Sequence, residues 1–122
     1  MSISKIPRSD KEFLTKRILP YFGVDAVVLR YEKSGRKWPD CWIQVNTYPP
    51  VITVTEEWRR QTARERCKRL VHEIGHALGI EHGRKGRGLV YSLYPERDTW
   101  SMAVFDDILD GSPRFDWRRF GA

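Results

Sequence analysis

Apolar residues recur every three or four positions in three parts of the chain, which is the spacing of an amphipathic helix. The first of these parts lies near the N-terminus. Its apolar side consists of Phe13, Leu14, Ile18 and Leu19. The preceding stretch SDKE has the spacing of a capping box, in which Ser9 caps the helix and Glu12 reaches back. We therefore expect a first helix that starts at Ser9 and ends at about residue 20.

The longest helical pattern begins after Thr62 and closes at Gly79. The stretch TARE, residues 62–65, is a second capping box, and glycine suits the left-handed end of a helix. The apolar positions share an arc of roughly 120° on the helix surface, and they are Cys67, Leu70, Val71, Ile74, Ala77 and Leu78. His72 and His76 project from almost the opposite side, so we expect them to face solvent or a cleft, with Glu73 between the two faces.

The stretches between these two helices are β-branched or alternate in polarity, which predicts three strands. These stretches are VDAVVLRY, CWIQVNT and VITVT, at residues 24–31, 41–47 and 51–55. Helical spacing returns after residue 97, where Val104, Phe105 and Ile108 predict a short last helix that Gly111 ends. The order of elements predicts an α+β fold with a sheet of three to four strands.

The length of 122 residues predicts one globular domain, residues 1–122. Its hydrophobic fraction of 40% excludes a disordered chain. The N-terminus lacks the apolar core of a secretory signal and no run approaches the ~18 apolar residues of a membrane span, so we expect a cytoplasmic protein without membrane contact. Only two cysteines occur, Cys41 and Cys67, so a disulfide framework is not expected.

The net charge of +6 and the pI near 9.6 make nucleic acid a partner to consider. The basic residues are scattered, however, and no nucleic-acid-binding module accompanies them. We therefore do not expect nucleic acid as the main partner. We also expect a monomer.

All three histidines lie within eleven positions, at 72, 76 and 82. Two histidines one helical turn apart present their nitrogens to the same point, as zinc requires. Gly79 can break the helix and let the chain turn, so that His82 meets the same ion. The sequence thus predicts one zinc ion held by His72, His76 and His82.

Three protein ligands leave a fourth position open for water, which distinguishes a catalytic zinc from a structural one. Glu73 lies beside that position and can accept the proton of the water, then transfer it to the departing amine. The pattern therefore predicts a zinc-dependent endopeptidase with Glu73 as its general base.

The stretch HEIGHALGIEH, residues 72–82, resembles the zinc-binding signature of the metzincin metalloproteases, and most closely that of the matrixin-like branch. The resemblance implies a zincin-like fold, in which a small mixed or antiparallel sheet of three to four strands packs on a backing helix and on the zinc-binding helix. It further implies an upper part at about 1–80 and a small lower part at about 81–122. It also implies a turn with a methionine beneath the metal. In this chain SLYP places Leu93 at that position, while the alternative Met102 falls inside the predicted last helix.

Several alternatives remain open at this point. A carboxylate could replace His82 as the third ligand, and the candidates are Asp98, Asp106 and Asp107. Zinc could instead serve a non-catalytic protein that binds peptides or nucleic acid, although closed structural sites usually contain cysteine. Cys41 invites comparison with a latency cysteine, but its position in a strand favours a packing role.

Substrate binding can also be predicted from the pattern. An extended peptide would pair with an edge strand of the sheet, formed from residues within 41–55. The basic loop with Arg84, Lys85 and Arg87 suggests a preference for acidic residues near the scissile bond, unless these side chains are only solvated.

Overall fold

A computed structural model describes residues 5–33, 41–78 and 100–119. Its elements are, in chain order, α1 (Arg8–Phe13), a π-helical segment (Leu14–Ile18), α2 (Leu19–Phe22), β1 (Val28–Glu32), β2 (Cys41–Gln44), β3 (Val51–Thr55), α3 (Glu56–Arg59), α4 (Ala63–Ala77), α5 (Trp100–Asp110) and a 3-10 turn (Trp117–Arg119). This confirms the α+β class. None of the described helices combines the length and apolar character needed to cross a membrane.

The three described strands form one mixed sheet in the order β1-β3-β2. β3 runs parallel to β1, with Val28 beside Val51, and antiparallel to β2, with Cys41 beside Val54. β3 is therefore central and almost entirely buried, which suits its β-branched sequence VITVT. β2 lies at an edge of the sheet and packs against α4.

The N-terminal helical layer differs from prediction at its start. It begins at Arg8 after Pro7, and no side chain caps it, so the expectation that Ser9 is the cap was wrong. Starting one residue earlier places Ser9 inside the helix, where its hydroxyl lies 3.4 Å from a carboxylate oxygen of Asp10. The fixed φ of Pro7 suits a position just outside a helix, and the side chain of Asp10 is then buried against α4.

This layer also continues past Pro20 to Phe22, where Gly23 ends it with a positive φ of 71°. Proline cannot donate a backbone hydrogen bond to the carbonyl four residues before it. The π-helical segment Leu14–Ile18 lies directly before this proline. The wider turn shifts which backbone amides and carbonyls pair. The helix can therefore continue through Pro20, which has no backbone N–H to donate.

A buried ion pair fixes this layer to α4. Arg66 Nε donates to Asp10 Oδ2 over 2.7 Å, and the two side chains are only 14% and 2% exposed. The guanidinium also donates to the carbonyl of Gln61 and lies 5.8 Å from the ring centre of Trp58. The indole of Trp58, which is fully buried, in turn donates to the carbonyl of Arg66. The start of α4 is thus held both by Asp10 and by Trp58.

The last helix, α5, confirms its prediction. Val104, Phe105 and Ile108 are buried, and Gly111 follows the helix with a φ of 71°. On the same helix Asp107 accepts hydrogen bonds from the hydroxyl of Tyr21 and from two backbone amides after the helix. Burial and this hydrogen bond raise the pKa of Tyr21. Asp107 therefore joins α2, α5 and the C-terminal segment.

We expect the Asp10–Arg66 pair to contribute more to the free energy of unfolding than surface ion pairs do. Replacing Asp10 by alanine leaves the charge of Arg66 buried and unpaired, which should lower the free energy of unfolding by about 3 kcal/mol. The exposed Arg8–Glu12 pair is the matched control, and Arg8→Ala should cost about 0.5 kcal/mol or less. Urea unfolding measures both, and equal losses in the two variants would contradict this assignment.

Candidate metal and catalytic site

The candidate site is built on the last turns of α4. The start of that helix is capped as predicted, since the hydroxyl of Thr62 accepts a hydrogen bond from the amide of Glu65 over 3.2 Å. The helix then continues without a break to Ala77 and is anchored by a buried apolar set: Leu70, Val71 and Ile74. This anchoring fixes the rotation of α4 about its axis, and with it the direction of the polar residues 72, 73 and 76.

The structure brings His72 and His76 together. Their Nε2 atoms lie 2.8 Å apart, and the rings meet edge to face with centres 4.4 Å apart. At this distance one Nε2–H donates to the other nitrogen when no metal lies between them. The same nitrogen of each ring therefore points into one shared space.

His72 and Glu73 are buried, with 8% and 9% of their surface exposed, while His76 is partly buried. Both histidines were expected to face solvent or a cleft, and the burial of His72 excludes solvent for that residue. The helical wheel identifies the apolar stripe of α4, but it carries no information about a strand that packs on another side. β2 packs against α4, and the thiol of Cys41 lies 3.9 Å from Glu73 Oε2.

The two imidazoles suit a zinc ion. Zinc binds nitrogen at about 2.0–2.1 Å in tetrahedral geometry, which places two ligand nitrogens about 3.3 Å apart. The observed separation of 2.8 Å is close to this value, and small side-chain rotations open the pair enough. Neutral imidazole is also the nitrogen ligand that zinc prefers in proteins. His72 and His76 thus fit two positions of a metal site.

His82, the predicted third ligand, lies outside the described residues, as does Gly79. Within residues 5–33, 41–78 and 100–119, no three His, Cys, Asp or Glu side chains come close enough to hold a metal ion. Asp106 and Asp107 are therefore not grouped with the two histidines in this structure. Asp106 lies near Arg64 instead, and Asp107 binds Tyr21.

The other predicted features of the site have mixed outcomes. Met102 lies on α5 with 46% of its surface exposed, which agrees with its predicted helical position. Leu93 and Asp98 lie outside the described residues, as do Arg84, Lys85 and Arg87 of the basic loop. Sequence reasoning missed the contact between Cys41 and Glu73, because no local pattern shows which helix a strand will pack against.

Comparison with known families supports the peptidase interpretation. The family model of the matrixins matches residues 47–110, more than half of the chain. The chain belongs to the matrixin family. This matched part contains β3, α4 and α5, and all three histidines, so the relationship to zinc-dependent peptidases includes the candidate site. No curated protein and no solved structure gave a significant match.

We expect His82 and not an aspartate to complete the metal site of this matrixin. Replacing His82 by alanine should weaken zinc binding about a hundredfold or more, since one of three strong ligands is lost. Asp106→Asn is the matched control, because its side chain is 63% exposed and its loss should leave zinc affinity unchanged. Competition with a chelator measures both, and full zinc affinity in the His82 variant would remove that residue from the site.

Proposed function

We propose that this chain is a zinc-dependent endopeptidase in which His72, His76 and His82 hold the metal and Glu73 is the general base. The observation that carries the proposal is the convergence of two imidazole nitrogens beside a buried carboxylate, in a chain of the matrixin family. A structural zinc site would leave Glu73 without a task, and it would ordinarily include cysteine ligands.

Glu73 is suited to move a proton in both halves of peptide hydrolysis. It follows His72 directly on α4, the helix that carries both described histidines of the proposed site. When bound, zinc acidifies water and polarises the scissile carbonyl. Glu73 accepts a proton from the attacking water and later delivers it to the nitrogen of the leaving amine. The same side chain thus takes up the proton and gives it back, and no covalent enzyme intermediate is required.

The edge strand β2 is the proposed docking site for the substrate backbone. One side of β2 is paired to β3, and the hydrogen-bonding groups on its other side can pair with an extended peptide. β3 is central in the described sheet, so the edge strand that was expected within residues 41–55 is β2, Cys41–Gln44. Because Cys41 contacts Glu73, a peptide added along β2 would pass close to the general base. Main-chain pairing makes little demand on substrate sequence.

The direct test compares peptide cleavage by variants of two glutamates on α4. In the zinc-loaded protein Glu73→Gln should lower kcat/KM for an unstructured substrate such as casein by about a thousandfold, because proton transfer is lost. Zinc binding should be retained, since no ligand is changed. Glu65→Gln is the matched control and should cleave normally, because Glu65 lies two turns away and is 46% exposed.

Three outcomes would contradict the proposal. Undiminished cleavage by Glu73→Gln would exclude Glu73 as the base. Zinc-loaded wild type that binds peptides but cleaves none would favour the alternative of a non-catalytic binding protein. Salt-sensitive binding to nucleic acid, with Glu73→Gln unaffected, would instead favour a nucleic-acid-binding protein.

A further inference from the structure

We propose that Cys41 is a positioning residue for Glu73, and that its thiol orients the carboxylate from the edge strand β2. This inference rests on the proposed function, in which Glu73 transfers the proton. It assigns a task to a cysteine that sequence reasoning treated as a packing residue.

The geometry makes Cys41 a fixed partner. Its Sγ lies 3.9 Å from Glu73 Oε2, at the long end of thiol hydrogen bonding, and both side chains are at least nine-tenths buried. Cys41 is the first residue of β2 and is paired in register with Val54, which is fully buried. The sheet therefore fixes the backbone that carries the thiol, and α4 fixes the backbone that carries the carboxylate. The contact joins the two elements at the candidate site.

The chemistry of a thiol suits this role. A glutamate has three side-chain torsions, and the last is broad, so its carboxylate plane needs a partner to fix it. A thiol has one weak donor, which can bind a single carboxylate oxygen, here Oε2. A cationic donor in the same place would hold the carboxylate more firmly and make it a poorer base. A weak neutral donor can orient Glu73 without adding a charge beside it.

A packing role predicts the opposite response to two substitutions. Cys41→Val keeps an apolar side chain that suits a strand but removes the donor. Cys41→Ser keeps a donor but places a more polar group in the buried space. If Cys41 positions Glu73, the valine variant should lose kcat about tenfold with KM unchanged, while the serine variant stays within about threefold of wild type. Wild-type activity in Cys41→Val with loss in Cys41→Ser would overturn the proposal.

A double-mutant comparison separates positioning from general damage to the site. In the Glu73→Gln background, Cys41→Val should cause almost no further loss of residual activity, because it acts through the carboxylate that is already gone. An undiminished tenfold loss in that background would show that Cys41 acts independently of Glu73. Zinc affinity should be the same in Cys41→Val and wild type, since neither thiol nor carboxylate is a proposed ligand.

An infrared measurement tests the contact without relying on activity. In a Cys67→Ser background Cys41 carries the only thiol, and its S–H stretching band should lie at lower frequency than the band in the same protein with Glu73→Leu. An identical band in the two proteins would overturn the proposal even if the protein is an active peptidase. A shifted band together with absent peptide cleavage would instead mean that the contact exists and that the proposed function fails.

Discussion

The packing of an edge strand against the last turns of one helix is the constraint on which the candidate site depends. α4 presents two imidazoles and a carboxylate within five residues, but helical geometry alone would leave them in water. β2 packs against this helix, and His72 and Glu73 are almost completely buried. Burial removes competing water and strengthens electrostatic interactions at the positions where proton transfer and metal binding would occur.

The rest of the fold keeps α4 in place for that contact. Its N-terminal half is joined to the first helical layer by the Asp10–Arg66 pair and to α3 by the indole of Trp58. Its apolar side is buried along Leu70, Val71 and Ile74, which fixes the rotation of the helix. A rotation of one residue is about 100° on a helix and would move Glu73 away from Cys41 on β2. The structural core and the candidate site are therefore controlled by the same packing.

The features that depend on local sequence were predictable. The cap at Thr62, the strand Val51–Thr55, the apolar stripe of α5 and the convergence of His72 with His76 each follow from spacing within one element. Helical periodicity fixes which side chains share a face, and the match to the matrixin family includes the same residues.

The features that depend on tertiary neighbours were not predictable. The burial of His72 arises at the side of α4 that packs with other elements, and the contact of Cys41 with Glu73 joins residues 32 positions apart. The start of α1 at Arg8 places Asp10 against an arginine far along the chain, so a local capping pattern at Ser9 was overridden.

The coordination of the bound metal is the most direct test of the central claim. X-ray absorption at the zinc edge of the zinc-loaded protein should show three imidazole nitrogens and one oxygen at about 2.0–2.1 Å. That result would agree with three histidine ligands and a position left open to water. A sulfur ligand at about 2.3 Å, or only two imidazoles, would contradict the account.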